Sequence, residues 1–284
     1  MAQEMNTART TTAAPARGVA HRTRGHAQGP ITRLVSPSQV GELIKPFVFL
    51  DYFDMDPRHA PAFGFHPHSG IATLTLLLQG RIAYEETSGT QGFIEAGGVE
   101  WMRAAGGVWH TGGAVGAERA KGYQLWLALP PELESIEAEA QYLERQEFQS
   151  DGPARVILGR YGESASKVAA PPTINYLDVA LKQGETWRYQ PPENHTVAWI
   201  AVHAGKLATP EHVDRGDLAV FEESNGALEF EAQEDAAFIL GSAVKHPHEL
   251  VLGYHSVHTH MRALEQGEAR IAEIGRRLQM EGRL

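Results

Sequence analysis

The hydrophobic runs of this chain are short, β-rich and punctuated by glycine. Ile71-Ala-Thr-Leu-Thr-Leu-Leu-Leu-Gln-Gly80 ends at a glycine, Arg81-Ile-Ala-Tyr84 follows, and a turn falls at Ser88-Gly89. Gly92-Phe-Ile-Glu-Ala-Gly-Gly98 and Val99-Glu-Trp-Met102 come next, and a glycine-rich approach leads to His110. Strand, glycine turn and strand in this rhythm predict a small antiparallel barrel. A second β-rich block runs from near Arg155-Val-Ile-Leu-Gly159 to about Ser242. The blocks echo each other: Leu76 to Ile82 is matched by Ile200 to Leu207, and Ile94 to Trp101 by His212 to Val220. A duplicated barrel would leave such a trace. After Arg262, Leu264, Ile271, Ile274 and Leu278 recur among charges at helical spacing, which predicts an amphipathic helix packing on a barrel.

These patterns predict an all-β protein of two antiparallel barrels with a C-terminal helix. A flexible N-terminal tail is expected over 1–28, a first barrel over 29–135, a second over 145–248, and a returning strand and helix over 249–284. The acidic strip Pro130 to Gln141 loses β character and is expected to be a connection.

Composition narrows the function. At 284 residues with 42% hydrophobic content, the chain can bury two ordinary cores. A net charge of −10 argues against direct nucleic-acid contact and against binding anionic membranes. Cysteine is absent, so thiolate metal sites, disulfides and thiol catalysis are excluded, and a cytoplasmic location is expected. No apolar stretch approaches the roughly 20 residues that span a bilayer. The first 30 residues lack the apolar core of a secretory signal. Gly-x-Ser-x-Gly, a phosphate loop and a dinucleotide fingerprint are missing, so hydrolase, NTPase and dinucleotide readings have no support.

The histidines carry the candidate chemistry. His66 and His68 stand one residue apart before a strand, and alternate residues of an extended backbone project to the same side. His110, arriving on another strand, could close a three-nitrogen face on a metal. Imidazole suits iron, nickel, copper and zinc. Three neutral ligands leave positions open, whereas a structural zinc is closed by four protein ligands. The chain has 14 histidines, and residues alone leave open a set of surface-loop histidines around a β-sandwich.

The chain resembles the pirins, two-domain (bicupin) members of the cupin superfamily. The resemblance runs through Phe49-Leu-Asp-Tyr-Phe53, Gly64-Phe-His-Pro-His68, Val99-Glu-Trp-Met102, Gly107-Val-Trp-His110 and Gly122-Tyr-Gln-Leu-Trp-Leu-Ala-Leu-Pro130, and covers residues 29–284. Leu252-Gly-Tyr-His-Ser-Val-His-Thr259 and Gly282-Arg-Leu284 are similar to one pirin subfamily. The resemblance implies cupin barrels and one iron, with three ligands carried over onto His66, His68 and His110. The fourth, a glutamate two residues after the third histidine, is Gly112 here, and the glutamate that often follows the second histidine is Ala72. The lost carboxylate should weaken metal binding, strengthen Lewis acidity and remove the best-placed general base. Nickel, copper, zinc or an empty site then stand beside iron.

Gln124 and Trp126 share one face of their strand and are candidate pocket residues, with Tyr123, Leu125 and Leu127 on the other. Glu100 alternates with Trp101, and Trp101 is expected to be the one that points inward. His195 and His203 do not repeat the His-x-His pattern, so the second barrel reads as a support without metal. His246, His248, His255, His258 and His260 could form a second metal site, but read better as loop and strand histidines near a domain junction. A closing role over the first site is the other option. The resemblance implies two functions: a dioxygenase opening quercetin-type flavonols, or a non-enzymatic regulator acting through protein partners. A small aromatic substrate or a regulatory protein is the corresponding partner.

Overall fold

The computed structural model describes residues 17–59, 63–87, 89–171 and 173–284. The chain forms two antiparallel cupin-type barrels and a C-terminal helix. Each half pairs a seven-stranded sheet with a four-stranded one. In the first half the larger sheet holds, side by side, Glu139–Leu143, Val99–Arg103, Ile71–Gln79, Ala120–Ala128, Phe47–Met55, Ile31–Val35 and His26–Gln28. The smaller one holds Phe63–His68, Val108–Val115, Arg81–Glu86 and Gln91–Glu95. The second half repeats this order, with Ile71–Gln79 answered by Val197–Ala204 and Val99–Arg103 by Leu218–Phe221. The short sequence echo between the blocks falls on these equivalent strands.

The two large sheets meet face to face. Leu50, Trp101, Tyr123, Leu125 and Leu127 of the first half share one apolar cluster with Ile157, Leu158, Tyr176, Trp199 and Val220 of the second. Phe47 meets Trp199 edge-on at 5.3 Å between ring centroids. Each such fully buried side chain contributes roughly 1.5–3 kcal/mol. The large sheet of the first half is therefore buried on both faces: one packs on the other half, and the other looks into its own barrel. This reverses the expectation for Trp101. It is fully buried, but between the halves, and strand alternation turns Glu100 into the barrel.

Two further segments differ from expectation. Val19–Thr23 pairs with Leu218–Phe221 at the edge of the second large sheet, so this part of the N-terminal region is a strand and not a flexible tail. Arg22 and Arg24 converge on the buried carboxylate of Asp217, a long-range pairing that local polarity hides. Residues 1–16 lie outside the described residues. The acidic strip ends in the strand Glu139–Leu143, which pairs with Val99–Arg103. The strip itself is polar, and its pairing is again long-range.

The helix Met261–Met280 buries Leu264, Ile271, Ile274 and Leu278, the four positions spaced for it in the sequence. His260 caps its start by accepting from the Ala263 amide at 3.1 Å. Trp109 donates its indole hydrogen to the Ile271 carbonyl at 2.7 Å, which fastens the helix to the small sheet next to His110. No helix among the described residues is long and apolar enough to cross a membrane.

Candidate metal centre

His66, His68 and His110 are brought together by the pairing of two strands of the small sheet. His110 lies opposite His66, and Val108 opposite His68. Each ring offers one nitrogen, and the three donors lie within 4.8 Å of one another. Among the described residues this is the group of three whose donors converge; His246, His248, His255, His258 and His260 form no second one.

Hydrogen bonding orients the rings. His66 Nδ1 lies 2.9 Å from the Gly64 carbonyl oxygen, and His68 Nδ1 lies 3.0 Å from that of His255. A carbonyl only accepts, so both Nδ1 atoms carry the hydrogen and both Nε2 lone pairs are free. His110 Nε2 is buried without a protein partner, while its Nδ1 faces Glu100 Oε1 at 3.5 Å. The pattern leaves three Nε2 atoms for one ion, which imidazole holds at about 2.0–2.2 Å. Burial, with a smaller contribution from neighbouring His110, pushes His66 down to about 4 and His68 well below the ordinary histidine value. Both rings stay neutral, as metal ligation requires.

The opposite wall is a polar row across five strands of the large sheet. Glu100 pairs with Thr75, Thr75 with Gln124, Gln124 with Asp51, and Asp51 with Arg33. All five line one cavity of about 380 Å³ that also holds the three histidines. Thr75 Oγ1 lies 2.8 Å from Glu100 Oε2 and 2.8 Å from Gln124 Oε1. One hydroxyl has one hydrogen. Donation to the carboxylate, with the Gln124 amide turned to donate to Thr75, satisfies both contacts. Burial pushes the Glu100 carboxyl up, but His110 and the Thr75 hydroxyl outweigh it and hold the group below its ordinary value. Arg33 pairs with Asp51 and lies over the Phe49 ring at 3.9 Å. Phe49 stacks on Trp126 at 4.0 Å and 9°, and Trp126 meets His68 edge-on at 4.9 Å. Gln124 and Trp126 both face the cavity, whereas Tyr123, Leu125 and Leu127 lie in the core between the halves.

Sequence reasoning missed Asp51 and Arg33, set Glu100 aside in favour of Trp101, and held a place over the first site for His255 only as a second option. Parity with Gln124 would have found Asp51 and Glu100 had the register been known. His255 arrives from the C-terminal segment and lines the cavity. His258 is buried behind it, with Nε2 3.0 Å from Ser69 Oγ and Nδ1 3.3 Å from Glu134. His246 and His248 lie with ring centroids 5.2 Å apart. In the second barrel His195 Nδ1 bonds Ser242 Oγ at 3.0 Å.

Gly112 leaves space. A Cβ built there would meet nothing nearer than the Ala83 carbonyl oxygen at 3.4 Å. Three neutral imidazoles with open positions and a carboxylate behind one of them fit a divalent ion, and the three-histidine group could hold one.

The family model described as Pirin matches residues 16–127. A Pseudomonas aeruginosa protein named "Putative quercetin 2,3-dioxygenase PA2418" is 30% identical over 248 residues, which cover 79% of this chain and 84% of that protein. The crystal structure of a quercetin 2,3-dioxygenase from Acinetobacter baumannii superposes with a TM-score of 0.78 at 22% identity, covering 92% of this chain and 96% of that one. The bacterial pirin YhhW of Escherichia coli in complex with nickel(II) gives a TM-score of 0.64 at 20% identity, covering 81% of this chain and 98% of that one.

Proposed function

The chain belongs to the pirin family, and from that premise we propose that it is a metal-dependent dioxygenase of quercetin-type flavonols, with His66, His68 and His110 as the metal ligands. The observation that carries this reading is one cavity in which three imidazoles, an aromatic wall and a polar row meet. A flavonol is flat, aromatic and hydroxylated along its edges. Trp126, backed by Phe49, offers an apolar wall to such rings, and Gln124 and Arg33 offer hydrogen-bonding groups to the hydroxyls. The names of the Pseudomonas relative and of the Acinetobacter structure point to the same substrate class.

Iron is the proposed metal; the nickel(II) complex of YhhW keeps nickel in view, and imidazole donors also suit copper and zinc. The ion, when bound, supplies Lewis acidity toward substrate oxygens and, if redox-active, access to dioxygen chemistry. The chain's own residues present neutral donors, flank the ring and exclude water. Glu100 supplies a buried carboxylate within the cavity, where the sequence at position 112 offers none. A cytoplasmic protein acting on a small aromatic molecule, without nucleic acid or membrane, completes the proposal.

The test starts from metal-free protein loaded with one equivalent of ferrous iron under anaerobic conditions. Oxygen uptake that matches quercetin loss, and that disappears in His66→Ala, supports the dioxygenase. Stoichiometric metal with no uptake on any flavonol overturns it and leaves a regulator that acts through protein partners.

A further inference from the structure

We infer that Glu100 is a positioning residue that supplies, from behind His110, the negative charge that the three-histidine ligand set lacks. The inference rests on the metal-binding reading given above and deepens it. Three imidazoles bring no charge to a divalent ion, and position 112 carries no side chain to add one. A carboxylate is nevertheless buried at the site. Glu100 is 4% exposed, reaches across from the opposite sheet, and places Oε1 3.5 Å from His110 Nδ1.

The arrangement is directional. The two nitrogens of an imidazole point away from each other, so a carboxylate at Nδ1 and an ion at Nε2 occupy different sides of the ring. Glu100 therefore acts through His110 and not as a ligand. A 3.5 Å approach is an electrostatic contact, longer than a full hydrogen bond. Its effect is to favour hydrogen on Nδ1, to aim Nε2 at the ion, and to make the ring a stronger donor. Thr75 holds the other carboxylate oxygen at 2.8 Å, which fixes the group without neutralising it. His66 and His68 have only backbone carbonyls behind them, so the charged partner is particular to His110.

In the metal-free protein His110 and Thr75 already hold the Glu100 charge, so its loss there should change stability little, whereas a bound ion would lose the negative charge behind one of its ligands. This separates a role toward the ion from a role in packing. Glu100→Gln keeps the shape and an accepting oxygen but removes the charge. Metal-free Glu100→Gln should melt within a few degrees of the wild type, while its affinity for ferrous iron or nickel falls 10- to 100-fold in a chelator competition. The midpoint potential of the iron-loaded variant should rise, because the ferric form loses more from a missing negative charge than the ferrous form. Glu100→Asp, which keeps the charge, should recover part of both changes.

Unchanged affinity and potential in Glu100→Gln, with wild type binding one metal, overturn the inference and leave the metal site standing. A fall in affinity accompanied by a metal-free melting temperature lower by about ten degrees or more also overturns it, since disrupted packing alone would then explain the loss. Wild-type protein that binds no metal, and is unaffected by His110→Ala, overturns the metal reading and this inference together.

Discussion

His68 Nδ1 lies 3.0 Å from the backbone oxygen of His255, so a segment 187 residues further along the chain fixes the tautomer of a ring in the three-histidine group. That segment is held by the C-terminal helix. Gly267 packs where any Cβ would meet His258 Nε2 at 2.5 Å and Ser69 Oγ at 2.6 Å. Gly267→Ala must therefore lift the helix or displace His258. It should cost about 1–3 kcal/mol of stability, the usual range for overpacking, and weaken metal binding through His255 and His68. Chemical denaturation and a chelator competition on the same variant check both effects. Full stability would mean that the helix shifts freely on the barrel.

Gly112→Glu should tighten metal binding. Gly112 is not among the positive-φ glycines, and the space around its Cβ is open to 3.4 Å, so the backbone accepts a side chain without strain. A carboxylate two residues after His110 projects to the same side as that ligand. It would add one bond and one negative charge. The expected gain is on the order of tenfold, or ~1.4 kcal/mol, in a ferrous iron titration against a chelator. No gain would mean that Glu100 already saturates the charge demand of the site. The combined Gly112→Glu, Glu100→Gln protein would then bind no worse than wild type.

Much of this fold could be read from periodicity, because glycine turns and apolar runs are local signals. The amphipathic helix is the clearest case, with Leu264, Ile271, Ile274 and Leu278 all buried as spaced. The convergence of His66 and His68 follows from alternation on one strand, and His110 is a candidate by its place on another, but its pairing opposite His66 is long-range and has no local signal. Parity failed at Glu100 and Trp101 for a physical reason. Burial is an adequate guide to direction only when one face of a sheet meets water, and here both faces are covered. Trp101 is fully buried on the face between the halves, and Glu100 is 4% exposed on the face toward the cavity. The pairing of Val19–Thr23 with Leu218–Phe221 was invisible for a different reason. It joins segments about two hundred residues apart, and its charged contacts to Asp217 look like a solvated basic arm when read locally.

Phe49→Leu should raise KM for a flavonol and leave metal affinity unchanged. Phe49 stacks on Trp126 at 4.0 Å and is not one of the three converging donors. Leucine keeps most of the volume but not the flat face that backs Trp126, so the Trp126 wall of the cavity loses its support. Aromatic pairs contribute ~0.5–1.5 kcal/mol beyond area burial, which corresponds to a rise of about two- to tenfold. Steady-state kinetics with quercetin and a parallel metal titration separate the two quantities. A loss of metal together with substrate affinity would show that the wall also supports His68 through Trp126.

The metal-free protein should lose stability on mild acidification, and His195 offers a site remote from the metal at which to see it. Burial alone pushes His195 down to about 4, and burial likewise brings His246 to about 4, against an ordinary value near 6.5. The sign follows from proton counts. Between about 6.5 and about 4 the unfolded chain binds protons at these rings and the folded chain does not, so stability is greatest above the upper limit and declines as pH falls through the window. His195 is 3% exposed and bonds Ser242 Oγ at 3.0 Å, so His195→Asn should be the less stable protein at pH 7. It has no ring to protonate in the unfolded state, so its stability should fall less steeply below 6.5. The gap to wild type should then narrow by at most about 1.4 kcal/mol per pH unit between pH 6 and pH 5. Urea denaturation of both proteins across that range measures it. Parallel curves would show that the His195 ring takes up its proton as readily in the folded barrel as in the unfolded chain.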